Sequence, residues 1–193
     1  MRNNKLRMVT EIAIFASIGL IFDLLTFTFM PQGGGLSLMM LPIIIMSLRW
    51  GVGAGMTTGF IIGVLGIATG GTIYHWAQAG LDYCLASAVV GVIGVFRQPI
   101  LKANRLAKKK VVTFYVVIGV LVSGFLKFSV HVISGVIFFA AYAGDQNVWL
   151  YSIIYNASHS IPSLILTLIC SVTLLTTKAQ LIQTPMHYVE VKS

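Results

Sequence analysis

VVTFYVVIGVLVSGFLKFSVHVISGVIFFAAYA, residues 111–143, is an apolar run broken by one lysine, Lys127, and one histidine, His131, four residues apart. At 1.5 Å per residue a helix through this run exceeds the ~30 Å hydrocarbon core of a bilayer. A second apolar run carries Asp82. An Asp or Lys at the centre of a spanning helix costs about 2.5–3.5 kcal/mol on insertion scales. Residues that carry such a cost face a cavity, pair with one another or touch a cargo. The three together predict a membrane protein that holds a polar ligand inside its helix bundle.

Composition points the same way. Hydrophobic residues make up 57% of the 193 and charged residues 9%, against about 25% charged in soluble domains, which excludes a soluble surface. The length predicts one domain, 1–193, and at about 20 residues per span it has room for roughly six. The fold expected is an all-α integral membrane protein, a six-helix bundle with helices at about 8–29, 37–48, 51–67, 74–96, 111–139 and 150–176. Basic residues stand at the ends of these runs: Arg2, Lys5 and Arg7 before the first helix, and Arg49 between the second and third. Arg97, Lys102, Arg105 and Lys108–Lys110 lie between the fourth and fifth, and Lys178 and Lys192 after the sixth. The other three loops have no Lys or Arg, so the positive-inside rule puts both termini in the cytoplasm. The net charge of +8 therefore orients the chain in a lipid bilayer and implies no nucleic-acid partner. MRNNKLR is charged like a signal peptide, but Glu11 and Asp23 interrupt the run after it, so it reads as a retained first helix. The tail Ala179–Ser193 is polar and expected to be mobile. Cys84 and Cys170 both lie in apolar stretches and read as packing residues.

Gly51, Gly55, Gly59 and Gly63 recur every four residues and predict a helix face that a neighbouring backbone approaches closely. Ala13 and Ser17 make a weaker small-xxx-small pair, either chance or a docking face. MPQGGGLSL, from Met30, is either a plain turn or a lid over a site open to the outside; Pro31 is expected to end the first helix.

Candidate ligand contacts gather on three helices. Tyr74, His75 and Trp76 read as an interfacial aromatic belt. Deeper, Gln78 and Asp82 share a helix face, with Tyr83 beside them. A buried carboxylate with an amide neighbour suits a cation or an amino-heterocycle; pairing with Lys127 for structure alone is the alternative. Lys127, His131 and Gly135 lie at i, i+4 and i+8 on one face, where Gly135 leaves room for a flat ligand and Phe139 could stack on it. On the last helix Tyr151, Ser152, Tyr155, Asn156, His159, Ser160 and Ser163 fill about half the circumference, too polar a side to face lipid. The sequon at Asn156 reads as chance inside a helix. Trp149 reads as an interface anchor. No nucleophile stands with a base and an orienting group. There is also no metal-ligand spacing and no phosphate-binding loop, so neither an enzyme nor a cofactor is expected.

MPQGGGLSL, AGLDYCLA, LKFSVHVISGVIFFAAYA and YSIIYNAS, in that order across nearly the whole chain, resemble the thiamine-specific S-component of energy-coupling factor (ECF) transporters. The resemblance implies a six-helix bundle in the bacterial plasma membrane, with a high-affinity vitamin site near the extracellular face closed by the first loop. It implies that Asp82 hydrogen-bonds the aminopyrimidine of thiamine and that Tyr83 is its aromatic neighbour. It gives Lys127, His131, Gly135, Tyr151 and Asn156 as further ligand residues. Phe139 stands where some members have a stacking Trp, and the Trp that some carry in the first loop has no counterpart here. The pocket so read holds one acid, Asp82, and one base, Lys127. The family's partners are a membrane coupling protein (T-component), docked through small residues of the first helix, here Ala13 and Ser17, and two ATPase subunits. A stand-alone proton-coupled secondary transporter of thiamine or a related pyrimidine, using His131 and Asp82, is the alternative; a membrane protein with satisfied polar pairs and no ligand is a third reading.

Overall fold

The computed structural model describes residues 2–31 and 34–184. Gln32 and Gly33 of the glycine-rich loop and the tail from 185 onward lie outside the described residues. The chain is almost entirely helical: α1 is Arg2–Leu24, α2 Met40–Trp50, α3 Val52–Ala68, α4 Trp76–Arg105, α5 Lys109–Phe138 and α6 Val148–Thr177. Of these, α4, α5 and α6, each of 30 residues, are long and apolar enough to cross a membrane.

The first helix lies earlier in the chain than the expected 8–29, starting at Arg2. It stops at Leu24, and Phe27–Thr28 (β1) pairs antiparallel with Gly35–Leu36 (β2). Thr26, Phe27, Thr28 and Phe29 are β-branched or aromatic and favour an extended chain, so the turn begins before Pro31 is reached. Gly35 permits the pairing, because a Cβ there would lie 2.8 Å from Thr28 Cα.

The second helix has only 11 residues, about 16 Å at the α-helical rise, shorter than the ~30 Å hydrocarbon core, and it follows the hairpin directly. From Met40 to Leu48 every residue of α2 is buried, which is why its sequence has no polar face. Gly51, at φ +103°, turns the chain straight into α3, a conformation open to glycine.

The glycine stripe of α3 is a packing surface, divided among neighbours. A Cβ on Gly55 would strike the Ser47 side chain of α2, while one on Gly59 or Gly63 would strike the backbone carbonyl of Ser87 or Tyr83 in α4. Gly51 is the exception, since it makes the turn. Across the contact α4 is wound irregularly, with a π-helical turn at Gly80–Leu85 and a 3-10 stretch at Val89–Phe96. Gly91 and Gly94, three apart, fall on one face of the 3-10 winding and meet the backbone of Met56 and Val52. Gly63→Ala is therefore expected to destabilise by about 1–3 kcal/mol through overpacking and to displace Tyr83. Gly53→Ala, with open space around its Cβ, is expected to be neutral or stabilising by up to about 1 kcal/mol. Thermal unfolding in detergent measures both, and equal melting temperatures for the two variants would contradict the packing.

The basic segment after α4 is not a loop. The helix continues to Arg105 because Ile100, Leu101 and Ala103 are buried against the core. At the same end of the bundle Glu11 of α1 accepts hydrogen bonds from Arg7 Nε (2.9 Å), Arg49 Nη2 (2.9 Å) and Trp50 Nε1 (2.6 Å). Arg49 Nη1 donates to the carbonyls of Leu181 (3.0 Å) and Gln183 (2.6 Å), and Arg97 Nε donates to the Arg49 carbonyl at 3.1 Å. The first part of the tail is thus tied down: Ala179–Ile182 forms a 3-10 turn, and Ile182 and Thr184 are buried.

Candidate functional site

A cavity of about 570 Å³ opens at the other end of the bundle, where α1, α3 and α5 finish and α4 and α6 begin. This is within the usual range for small-molecule sites, about 300–1,000 Å³. All eight candidate ligand residues line it: Asp82, Tyr83, Lys127, His131, Gly135, Phe139, Tyr151 and Asn156. The polar side of α6 faces it as well, from Tyr151 and Ser152 through Tyr155 and His159 to Ser160 and Ser163.

Asp82 and Tyr83 sit in the π-helical turn of α4. Such single-turn widenings occur frequently at functional sites, since they re-aim side chains out of the regular helical register. Asp82 Oδ2 accepts from Gln78 Nε2 at 2.8 Å, and Asp82 Oδ1 lies 3.3 Å from His131 Nδ1. Gln78 in turn accepts from the backbone N–H of Tyr74 at 3.1 Å. The carboxylate is thus oriented by one neighbour from its own helix and one from α5. The expected alternative, an Asp82–Lys127 pair serving structure alone, is not what forms. Among the described residues Lys127 makes no salt bridge; it lies within electrostatic range of both Asp82 and Asp23.

The junction of α5 and α6 is held by polar side chains. Ser152 Oγ donates to the Val132 carbonyl at 2.9 Å, and Asn156 Nδ2 donates to the Ser152 carbonyl at 2.9 Å and the His131 carbonyl at 3.4 Å. These bonds give Gly135 a packing role beside its place in the cavity wall. A Cβ there would meet Ser152 Oγ and Asn156 Nδ2, so its missing side chain also lets α5 and α6 pack closely.

Aromatic rings surround the opening. Phe139, at the end of α5, meets Tyr74 edge-on at 5.1 Å and Tyr142 at 6.1 Å. Tyr151 stacks with Tyr155 at 6.0 Å, and His159 stands edge-on to Tyr155 at 6.0 Å and to His131 at 6.4 Å. Of the belt expected at Tyr74–Trp76, all three residues are exposed, Trp76 more than Tyr74, and two of them have further contacts. Tyr74 lines the cavity, and His75 caps α4 through its Ala77 N–H and stacks on Phe138 at 5.4 Å. The described part of the first loop lies over the polar side of α6. Gly34 packs on the His159 ring, and Ser163 Oγ donates to the Gly35 carbonyl and accepts from the Ser37 N–H, both at 3.1 Å.

Residues 9–183 match the family described as thiamine transporter protein. The chain belongs to that family. It is similar to thiamine transporter ThiT of Bacillus subtilis (strain 168), 40% identical over 177 residues that cover 90% of this chain and 91% of the relative. It is likewise similar to thiamine transporter ThiT of Lacticaseibacillus paracasei, 30% identical over 190 residues that cover 93% and 92% of the two chains. A solved structure of ThiT from Listeria monocytogenes shares the fold, with a TM-score of 0.87 at 24% identity, covering 94% of this chain and 100% of the other. The family consists of membrane transport proteins, not enzymes.

Beyond the predicted set, the cavity of this thiamine transporter family member is lined by Asp23, Thr26, Ser37 and Thr72. Asp23 was legible as an acid in an apolar run, but only the early end of α1 and the hairpin behind it bring it to the cavity. The ring contacts of Phe139 give a further expectation. If this ring faces the ligand, Phe139→Trp should improve affinity by about 0.5–2 kcal/mol for a cationic ligand, since a larger electron-rich face holds a cation better. Calorimetric titration with thiamine measures it, and an unchanged affinity would place the ring away from the ligand.

Proposed function

We propose that this chain is the high-affinity thiamine-binding subunit, or S-component, of an ECF-type ABC vitamin uptake transporter in the bacterial plasma membrane. It acts as a single domain over 1–193 that crosses the membrane six times with both termini in the cytoplasm. The observation that carries the reading is the convergence of Asp82, Tyr83, Lys127, His131, Gly135, Phe139, Tyr151 and Asn156 on one cavity. Three successive helices supply them, from residues spread along the sequence from Asp82 to Asn156. Thiamine offers an aminopyrimidine, a permanently cationic thiazolium and a hydroxyethyl tail. Asp82, held by Gln78 and His131, accepts from the pyrimidine amine; the aromatic rings cover the two heterocycles; Lys127 serves the hydroxyethyl or phosphate end. The names of the relatives, thiamine transporters both, agree with this ligand.

The basic cluster around Arg49 and the cavity lie at opposite ends of the bundle, which supports an outward-facing site beneath the first loop as lid. Ala13 and Ser17 both lie on the outside of α1, available to a T-component driven by two ATPase subunits. A second reading, a stand-alone proton-coupled transporter, draws on the 3.3 Å contact of His131 with Asp82, since a His and a carboxylate at membrane depth are the parts of a proton relay. The direct test of the ligand is mass spectrometry of whatever co-purifies with the protein, followed by calorimetric titration with thiamine. Saturable binding of one thiamine per chain is expected; a different co-purified compound together with no heat from thiamine would refute the reading.

A further inference from the structure

The cavity holds more charge than the sequence reading gave it. Among the described residues Asp23 and Asp82 are its two acids and Lys127 its one ammonium; His131 and His159 complete that titratable lining apart from tyrosines. With the imidazoles neutral, two carboxylates and one ammonium leave a net charge of −1. Asp82 is already engaged by Gln78 and His131. The Asp23 carboxylate forms no hydrogen bond or salt bridge with a described residue and senses Lys127 only through space. It also sits in the last turn of α1, where the negative end of the helix dipole disfavours an anion. An acid so placed, in an apolar bundle, destabilises the protein unless something positive comes to it.

Its surroundings say what that could be. A Cβ at Gly66 of α3 would lie 3.2 Å from Asp23 Oδ2 and 3.5 Å from Tyr83 Cδ1, so the carboxylate and the Tyr83 ring converge over the same glycine. An anion beside an aromatic ring suits a flat cation, which takes the charge from one and the π face from the other. We infer that Asp23 is the counter-ion for the fixed positive charge of the ligand and makes the site selective for a monocation. The inference rests on the vitamin reading above and assigns the two ends of the ligand to two different acids, the amine to Asp82 and the cationic ring to Asp23. A net charge of −1 in the cavity is neutralised by a ligand of charge +1. A phosphorylated form keeps the thiazolium but has a net charge of zero or below, so a cavity of net charge −1 holds it less well as a whole.

The test compares thiamine with an isostere whose thiazolium is replaced by an uncharged thiophene ring, each titrated against wild type and Asp23→Asn. Asparagine keeps the size of the side chain and removes its charge. Asp23→Asn is expected to weaken thiamine about ten- to a hundredfold and to leave the neutral isostere within about twofold, which also shows that the variant is folded. It should equally narrow the preference for thiamine over thiamine monophosphate. Unchanged thiamine affinity in the variant, or the same loss for both compounds, overturns the assignment and leaves Asp23 a structural partner of Lys127. Wild-type protein that binds neither compound would instead sink the vitamin reading, and this inference with it.

Discussion

Asp82→Ala is expected to weaken thiamine binding about ten- to a hundredfold. A carboxylate that accepts a hydrogen bond from a desolvated amine makes a charged hydrogen bond, about 1.5–3 kcal/mol, and each 1.4 kcal/mol is tenfold in Kd. The structure adds a second source of loss. Asp82 satisfies Gln78 Nε2 at 2.8 Å and approaches His131 Nδ1 at 3.3 Å, and Gln78 is 3% exposed. Truncation therefore leaves a buried amide short of its partner and frees the imidazole to turn. Asp82→Asn, which keeps an acceptor oxygen for one of these bonds, should fall between wild type and alanine. Calorimetric titration of the three proteins with thiamine gives the ranking, and equal affinities would remove Asp82 from the site.

The joint change Ala13→Leu and Ser17→Leu is expected to abolish thiamine uptake by cells and to leave thiamine binding intact. In α1 the inward positions are Ile12, Ala16 and Gly19, all buried, with Ile62 of α3 closing on Gly19. Ala13 and Ser17 point away from the bundle, and the Ser17 hydroxyl is satisfied by the Ala13 carbonyl at 3.0 Å. Leucines there disturb no internal contact, but they hold any approaching helix farther off, and small residues are what close helix approach in a membrane requires. Uptake of labelled thiamine in whole cells, beside a binding titration on the purified variant, separates the two effects. Normal uptake would favour the proton-coupled alternative, in which no docking partner is needed.

Much of the site could be read from one dimension because each polar residue in an apolar helix carries a cost that demands an interior position. Spacing then assigns its face. Lys127, His131 and Gly135 at four-residue intervals, and the half-polar start of α6, both reached the cavity on that logic. Asp23 was left out because it stands beyond the spacing argument: nothing local says that α1 ends at Leu24 and turns its last turn toward α3. Gly135 lines the cavity but is also approached by Ser152 and Asn156, since a glycine in sequence announces a close approach without naming what approaches. That the first part of the tail, 179–184, is held in place was hidden for a similar reason, because the guanidinium that ties it down, Arg49, lies 132 residues before Leu181.

By itself the sequence determined that the chain is a helical membrane protein, where its basic ends lie, which helix faces are polar and to which family it belongs. These follow from hydrophobicity, from periodicity and from residues kept in order, all local or additive properties. Only the tertiary structure decided that α2 is a short buried rod preceded by a hairpin, that α4 widens into a π-helical turn at Asp82, and that Asp23 joins Asp82 and Lys127 in one cavity. Each of these depends on backbones meeting at glycines far apart in the chain, Gly63 on Tyr83 and Gly94 on Val52. The energy of such contacts belongs to pairs of helices, and no single helix carries its record.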